Sequence, residues 1–362
     1  MEKRTKALHP VNATSASEVM GELAKALSGS GPALAFCQTQ SAVVPEPISI
    51  VVATSGSSGP AKEVALSAKA LISSARASNK FLGAQFGDTW SLLLPLTHIA
   101  GINVLLRSLE LGTTAIDLRN LRSYPKADFS AIVPTQLFRA LNGDTEMLSH
   151  LQSCKAVLVG GAALSAELRG QAFAADINLV ATYGMTETCG GCVYDARPLE
   201  GVEVEIRNNR IAIKGSVLAS TYLNNQKEWE ANFVDGWFLT QDLGSLNSGE
   251  LIVENRLDEL IITGGENLSL QAVAEVLSSN FPSHAFAAFG VKDAEWGTAF
   301  YLAVAGEPGL SDFEICQRLA DALGHIAKPK KILRLSKLPL TAIGKIDRAA
   351  LIEFATMERG AQ

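Results

Sequence analysis

The segment from residue 54 to residue 62, TSGSSGPAK, has the residue types that could hold a phosphate group. Glycine lets backbone N–H groups turn toward an anion, the hydroxyls add hydrogen-bond donors, and the lysine supplies a positive charge. The spacing does not match GxxxxGK[ST], the pattern of the Walker loop. Taken alone, the segment is compatible with a phosphate-binding loop or with a flexible turn.

A second candidate for chemistry is the pair Cys189 and Cys192 in the sequence CGGC. A redox pair or half of a zinc site would have this spacing, but a zinc site needs about four ligands, and no second CxxC or paired histidine accompanies it. The five cysteines are an odd number and thinly spread, which is not typical of a disulfide framework. We therefore interpret CGGC as small residues that line a loop.

Composition and charge limit the classes of protein that can position these residues. The chain has 362 residues, 47% of them hydrophobic and 19% charged, which indicates two or three folding units. A formal charge of -6 and the lack of basic runs argue against a nucleic-acid-binding protein. No apolar stretch reaches the roughly 18 residues of a membrane span, and no signal peptide is evident. We expect a soluble, cytoplasmic protein.

The apolar pattern of the first 200 residues predicts short strands that alternate with helices, the arrangement of an α/β fold with a largely parallel sheet. The phosphate-loop candidate directly follows one of these strands and precedes a helix with Ser67 as its cap. The predicted strands are 48–53, 90–96, 156–159 and 179–181, and the predicted helices are 16–27, capped by Ser15 or Ser17, and 66–80.

The pattern changes near residue 200, where alternating apolar and charged residues predict a hairpin of strands 202–206 and 211–213 in a β-rich region. A C-terminal α+β unit of about 105 residues is large enough to fold alone. We place the boundary at residues 256–258, so that the domains are 1–256 and 257–362. The predicted elements of the second domain are strand 259–263, helix 270–279, strands 285–291 and 298–305, helix 312–323 and a polar tail.

Four further segments accompany the 54–62 loop. They are ATYGMTETCGG (181–191), GWFLTQDLG (236–244), NRLDELIITGGENLSLQAVAEVL (255–277) and PLTAIGKIDR (339–348). With these five segments in family order, residues 48–348 resemble the adenylate-forming acyl-CoA synthetases, the AMP-binding superfamily. The resemblance implies a large N-terminal AMP-binding domain with parallel-rich sheets and a β-rich subdomain, then a small α+β C-terminal domain that swings on a hinge. It also implies ATP, Mg²⁺ and CoA.

The resemblance assigns nucleotide-binding roles to several of these residues. The loop would hold the β- and γ-phosphates of ATP, Tyr183 would stack on adenine, and Thr186 would bind the α-phosphate. Glu187 would hold Mg²⁺, a cation that prefers carboxylate and phosphate oxygens, the alternative being a surface carboxylate. Asp242 and Arg256 would bind ribose. The implied nucleotide-binding residues are Thr54, Ser55, Gly56, Ser57, Ser58, Gly59, Lys62, Gly160, Gly161, Ala162, Tyr183, Gly184, Met185, Thr186, Asp242 and Arg256.

The implied catalytic residues are Lys345, Lys62 and His98. Lys345 would reach the substrate carboxylate and the α-phosphate during adenylation, whereas a lysine in a polar tail is by default a solvated charge. His98, in PLTHIAG, would gate the acyl and pantetheine channel, although a lone histidine between apolar residues is also typical of a core position. The remaining implied roles are a hinge at Asp258 and CoA contacts at Gly264, Gly265 and Glu266.

The chain departs from the family patterns in three places, but at each of them the functional side chain is still present. Gln241 precedes Asp242 and Asn255 precedes Arg256, where glycine is frequent in the family, and Pro60 and Ala61 stand in inverted order before the lysine. A larger departure is that 53 residues precede Thr54, far fewer than in most family members. This implies a trimmed front subdomain.

The short front end, residues 130–141, PLTHIAG and YGMTETCGGCVYD resemble the short o-succinylbenzoate–CoA ligases of menaquinone biosynthesis. The implied substrate is an aromatic dicarboxylate, whose pocket needs polar or basic groups beside apolar walls. Gly190 and Gly191 would leave room for a ring, and Thr135 and Arg139 are available donors. The implied reaction joins o-succinylbenzoate to CoA through an acyl-adenylate, with release of pyrophosphate and AMP.

Three alternative functions stay open at this point. They are another aryl- or acyl-CoA ligase, a carrier-protein-loading adenylation enzyme, and a non-catalytic AMP-binding scaffold. Retention of Lys62, Glu187, Asp242 and Lys345 disfavours the scaffold, because a binding module has no need of the whole set. The expected partners are small molecules, with no nucleic acid, no membrane span and a possible homodimer.

Overall fold

The computed structural model describes residues 4–54, 61–121, 123–293, 296–306, 309–340 and 346–360. The chain divides into two units. The first contains the residues up to Thr54, Ala61–Thr240 and Ser245–Ile252, and the second contains Gln241–Gly244 and the residues from Val253 onward. The predicted domain limits, 1–256 and 257–362, stay a prediction. Among the described residues, no helix has the length and apolar character to cross a membrane.

The elements are numbered in chain order. The strands are β1 (Thr5–Pro10), β2 (Ala33–Ala35), β3 (Val43–Pro45), β4 (Ile48–Ala53), β5 (Glu63–Ser67), β6 (Trp90–Leu92), β7 (Ile116–Asp117), β8 (Phe129–Ile132), β9 (Ala156–Val159), β10 (Leu179–Met185), β11 (Gly190–Tyr194), β12 (Arg197–Pro198), β13 (Val202–Arg207), β14 (Arg210–Gly215), β15 (Thr221–Tyr222), β16 (Phe233–Val234), β17 (Trp237–Asn247), β18 (Glu250–Arg256), β19 (Leu260–Thr263), β20 (Glu266–Ser269), β21 (His284–Asp293), β22 (Gly297–Gly306) and β23 (Lys331–Leu335). The helices are α1 (Ala16–Ser28), α2 (Ala68–Phe81), α3 (Ile99–Glu110), α4 (Pro134–Leu141), α5 (Thr145–Ser153), α6 (Ala166–Ala174), α7 (Gln226–Asn232), α8 (Leu270–Asn280), α9 (Asp312–Leu323) and α10 (Arg348–Gly360).

One sheet of the first unit has the strand order β15-β5-β4-β2-β1-β3. Strands β1, β2 and β4 are parallel, and β5 runs antiparallel to β4. The predicted strand 48–53 is confirmed as β4, whose apolar residues are almost wholly buried. The predicted helix 16–27 is confirmed as α1, and the Ser15 side chain caps it by accepting a hydrogen bond from Glu18 N. Strands β1 to β3 lie in the weakly patterned front segment and were not predicted.

The second sheet of this unit has the order β12-β11-β10-β9-β8-β6-β7, and the strands from β10 to β7 are parallel. This confirms the predicted α/β arrangement. The predicted strand 90–96 is shorter, since β6 ends at Leu92. The predicted helix 66–80 begins later, at Ala68, because Leu66 and Ser67 belong to β5. The apolar residues of β5 are followed directly by those of the helix. Leu66 therefore lies at a helical spacing from the apolar residues of the helix, although it belongs to the strand.

The β-rich region forms a third sheet, in which β13 pairs with β14 as predicted. Asn208 and Asn209 make the two-residue turn, with φ angles of 51° and 62°. Positive φ at both positions is the requirement of the tight hairpin turn that matches strand twist, and asparagine tolerates it better than most residues.

The second unit is built on the sheet β20-β19-β22-β21, with β23 paired to β22. Side chains of β21 alternate between two cores. Phe286 packs with apolar residues of α8 and α9, while Phe289 packs with Leu351 and Ala355 of α10. The prediction of a polar tail after helix 312–323 is therefore wrong, because this segment contains β23 and α10. The helix was missed because its buried residues, four positions apart, stand among charged and exposed ones.

Leu351→Ala should lower the free energy of unfolding by about 2–5 kcal/mol, the range for a buried leucine that leaves a cavity. Leu351 is 1% exposed, whereas Met357 on the same helix is 65% exposed. Met357→Ala should change stability by less than about 0.5 kcal/mol. Calorimetric unfolding of the full chain measures both. Equal effects of the two substitutions would contradict the packing of α10 on the sheet.

Candidate active site

The two ends of the phosphate-loop candidate are fixed by the pairing of β4 with β5. Thr54 N donates a hydrogen bond to Lys62 O at 2.9 Å, and Lys62 N donates to Thr54 Oγ1 at 3.3 Å. The loop therefore leaves and re-enters the sheet at a closed neck. The predicted phosphate ligands that lie outside the described residues are Ser55, Gly56, Ser57, Ser58 and Gly59.

The Lys62 side chain lies against two residues that no motif predicted. Its Nζ is 2.5 Å from Glu228 Oε1 and 5.2 Å from the centroid of the Tyr222 ring. Tyr222 reaches this position because β15 pairs with β5, so that Tyr222 stands opposite Val64. Glu228 lies on α7. About a quarter of the Lys62 side chain stays exposed, which leaves its charge accessible to an anion.

The metal-ligand candidate Glu187 lies in the single turn Thr186–Thr188 that follows β10. It is 7% exposed and so is not a surface carboxylate. Tyr222 Oη donates a hydrogen bond to Glu187 Oε1 at 2.7 Å. The Glu187 backbone is held as well, since its carbonyl accepts from Ala219 N at 2.8 Å. Glu187 and Lys62, predicted from separate motifs, thus meet at one tyrosine.

The donor set around Glu187 fits Mg²⁺. Glu187 Oε2 accepts no hydrogen bond from another described residue, so one carboxylate oxygen remains for a cation. No cluster of three or more His, Cys, Asp or Glu side chains occurs among the described residues. A single carboxylate supplemented by substrate phosphates and water is the usual provision for Mg²⁺. Burial, reinforced by Glu187, raises the pKa of Tyr222, so its hydroxyl stays protonated and acts as the donor.

Tyr222 and Glu228 are functional candidates that sequence reasoning missed. Both come from residues 220–230, a segment without a motif of its own. Their closeness to the loop follows from strand pairing between residues far apart in the chain, since Tyr222 pairs with Val64, 158 positions earlier. The only local signal was the short β-prone stretch around Tyr222, which does not identify its neighbours.

Close packing explains several glycines of the motifs. A Cβ at Gly160 would lie 2.1 Å from Thr182 Oγ1, and a Cβ at Gly184 would lie 2.1 Å from Gly190 O. Gly190 has a φ of +89°, and a Cβ there would lie 2.2 Å from Asn103 Nδ2. The adenine contact and the space for a ring, which the resemblance implies for these positions, stay predictions. The neighbouring candidates are exposed at Gly161 and Ala162 and partly buried at Tyr183, Met185, Thr186 and Gly191.

Cys189 and Cys192 are free thiols with no exposed surface. Burial raises the pKa of the Cys192 thiol to about 12 and that of Cys189 further still. The Cys189 carbonyl accepts hydrogen bonds from Ser74 Oγ at 3.1 Å and Asn103 Nδ2 at 2.7 Å. These contacts fit a packing role for the CGGC segment. The prediction that it lines a loop is wrong, because its residues from Gly190 onward belong to β11.

The candidates for the acid and its channel lie on two helices of the first unit. His98 is the partly buried N-cap residue of α3, in a turn where a Cβ at Gly101 would lie 2.3 Å from Pro95 O. Thr135 and Arg139 lie on the exposed face of α4, about one turn apart. Whether they contact the substrate stays a prediction.

In the second unit, the two ribose candidates lie together. Arg256 Nη1 donates to Asp242 Oδ1 at 3.0 Å, and Asp242 is 5% exposed. The CoA candidates Gly264 and Gly265 form the tight turn between β19 and β20, with φ angles of 57° and 87°, followed by exposed Glu266. The hinge candidate Asp258 lies in the turn Leu257–Glu259, and Lys345 lies outside the described residues.

Comparison with protein families identifies the class of this fold and site. Residues 3–220 match the model of the AMP-binding enzyme family, and residues 271–345 match that of the AMP-binding enzyme C-terminal domain. The chain therefore belongs to the AMP-binding enzyme family. The resemblance and the fold class predicted from the motifs are confirmed, while movement about Asp258 stays a prediction.

Three of the similar proteins share one activity in their names. A probable 2-succinylbenzoate–CoA ligase of Mycobacterium tuberculosis is 34% identical, over 96% of this chain and 97% of the relative. A 2-succinylbenzoate–CoA ligase of Enterococcus faecalis is 30% identical, over 87% of this chain and 71% of the relative. The structure of O-succinylbenzoate coenzyme A synthetase (MenE) from Bacillus subtilis with AMP is 26% identical, with a TM-score of 0.74 over 86% of this chain and 70% of that one.

Replacing Cys189 and Cys192 together by serine should leave the zinc content and the response to reductant unchanged. It should lower the melting temperature, because two serine hydroxyls would be placed in a core that leaves the thiols no exposed surface. Metal analysis and thermal unfolding with and without reductant measure these effects. Zinc near one equivalent in the wild type and absent from the double variant would refute the packing interpretation.

Proposed function

We propose that the protein is an ATP-dependent 2-succinylbenzoate–CoA ligase that acts through an acyl-adenylate. The observation that carries the proposal is the meeting of buried Glu187 with Lys62 at Tyr222, beside the closed neck of the phosphate loop. This pairs a cation ligand with a phosphate contact, which a non-catalytic scaffold has no need to retain. The names of the relatives support the acid substrate.

In the first half-reaction, a carboxylate oxygen of the acid attacks the α-phosphorus of ATP and pyrophosphate leaves. Two anions must approach each other, so the protein has to offset their repulsion. Lys62 would bind the β- and γ-phosphates, and Lys345 would bind the substrate carboxylate and the α-phosphate. Mg²⁺ bound at Glu187 would neutralise phosphate charge and thereby make pyrophosphate a better leaving group. Tyr183 and the Asp242–Arg256 pair would orient adenine and ribose.

In the second half-reaction, the thiolate of CoA attacks the acyl carbonyl carbon of the adenylate and AMP leaves. Gly264, Gly265 and Glu266 would contact the pantetheine arm, which can approach the backbone closely where glycine has no side chain. We propose that the C-terminal domain turns about Asp258 between the half-reactions, so that Lys345 serves only the first. His98 would separate the acyl and pantetheine channels.

The acid pocket is proposed to include Gly190, Gly191, Thr135 and Arg139. A guanidinium and a hydroxyl are suitable partners for the second carboxylate of an aromatic dicarboxylate. A cytoplasmic location is a further proposal that follows from the sequence. We also propose assembly as a homodimer, for which the sequence carries no specific signal.

The proposed activity can be tested by measuring AMP release from ATP and CoA with a panel of acids. We expect o-succinylbenzoate to support the highest kcat/KM, with benzoate and medium-chain acids far lower. Acid-dependent ATP–pyrophosphate exchange without CoA separates adenylation from thioester formation. If none of the acids in the panel supports exchange, the protein is not an adenylating enzyme of this class. If another acid is preferred, the proposed substrate is wrong.

Lys345→Ala should reduce acid-dependent ATP–pyrophosphate exchange by about two to three orders of magnitude, as for the loss of one charge-assisted contact in an active site. The same variant, supplied with pre-made acyl-adenylate and CoA, should form thioester at nearly the wild-type rate. Lys337→Ala, a change at an exposed lysine of the same unit, is the control and should affect neither step. Equal losses in both half-reactions would rule out the proposed domain movement.

A further inference from the structure

The Tyr222 side chain is buried between Glu187, which the proposed function assigns to Mg²⁺, and Lys62, which it assigns to the phosphates of ATP. It is 2% exposed, and its hydroxyl lies 2.7 Å from Glu187 Oε1. Lys62 Nζ lies over the Tyr222 ring, 5.2 Å from the ring centroid. No motif singled it out, and the reaction needs no proton from it.

Tyr222 has little freedom to move. Its backbone belongs to β15, where it stands opposite Val64 of β5. Trp229 packs edge-on against its ring, with centroids 5.3 Å apart at 81°. Trp229 itself stacks with Phe233 and with Phe238, at centroid distances of 5.3 and 5.2 Å. A hydroxyl carried by such a ring is a fixed donor, so the carboxylate that accepts from it is fixed as well.

When a carboxylate binds a metal through one oxygen, a hydrogen bond to its other oxygen fixes the orientation of the group. We propose that Tyr222 is a positioning residue that orients the Glu187 carboxylate so that Oε2 faces the metal bound with ATP. The inference rests on the proposed function, because it assumes that Glu187 is the metal ligand. Tyr222 acts through Glu187 and does not itself touch the metal.

The test is the affinity of the full-length protein for Mn²⁺, measured by electron paramagnetic resonance in the presence of a non-hydrolysable ATP analogue. Tyr222→Phe removes the hydroxyl but keeps the ring, so the contact between Lys62 and the ring is kept. It should weaken Mn²⁺ binding by about tenfold, the lower end of the range for losing a partner of a metal ligand. Binding of the analogue without metal should stay unchanged.

The chain offers a matched control in Tyr194, which is also wholly buried. Its hydroxyl bonds to Ser78 Oγ at 2.8 Å and to Arg107 Nη2 at 3.1 Å, and it does not contact Glu187. Tyr194→Phe makes the same chemical change and should lower the melting temperature without altering Mn²⁺ affinity. An equal loss of Mn²⁺ affinity in both variants would mean general loosening and would overturn the proposal.

Glu187→Gln separates failure of this inference from failure of the metal assignment. If Glu187→Gln weakens Mn²⁺ binding and Tyr222→Phe does not, the positioning role is wrong and the metal assignment stands. If neither variant weakens Mn²⁺ binding, the positioning role of Tyr222 and the metal assignment of Glu187 are both wrong. In the double variant, Tyr222→Phe should add no further loss to Glu187→Gln, and additive losses would contradict action through the carboxylate.

Discussion

The antiparallel pairing of β5 on both of its edges is the constraint on which the candidate site of the first unit depends. On one edge, β5 pairs with β4 and closes the neck of the phosphate loop between Thr54 and Lys62. On the other edge, β15 adds Tyr222 to the same sheet. Because a strand's backbone hydrogen bonds fix its register, both edges are set together. The pairing of β5 therefore fixes both the position of Lys62 and that of Tyr222, the partner of Glu187.

Buried polar contacts fix the segment that carries Glu187 from the opposite side. Ser74 and Asn103, on α2 and α3, both bond to the Cys189 carbonyl. Cys189 has a φ of 52°, an unfavourable conformation for a residue with a side chain. Since a buried carbonyl without a partner is costly, the two donors help to hold this conformation. The turn at Glu187 is thus held by helices on one side and by Ala219 and Tyr222 on the other.

Local patterns predicted the elements whose signals lie within a few residues. Strand β4 and the β13–β14 hairpin are examples, because an apolar run and an alternating pair of strands are visible in the sequence itself. Strand β5 and helix α10 were missed. Strand β5 is continuous with a helical pattern, and in α10 the buried Leu351 and Ala355 stand among exposed apolar residues such as Phe354 and Met357. The motifs supplied Glu187 and Lys62, which lie close together in the first unit, and Asp242, which lies in the second unit. The family confirmed the class of enzyme. The partners were not predictable, because Tyr222 and Glu228 reach the site only through tertiary pairing.

The ion pair of Lys62 with Glu228 gives the phosphate loop a built-in counter-ion. An anion that binds at the exposed part of Lys62 shares the charge of this lysine with a carboxylate that is already in place, so the gain from a single charge is small. A polyphosphate that contacts Lys62 together with loop backbone groups and a cation can outcompete that carboxylate more easily than inorganic phosphate can. The pair would therefore favour a multiply charged nucleotide over simple anions at this lysine.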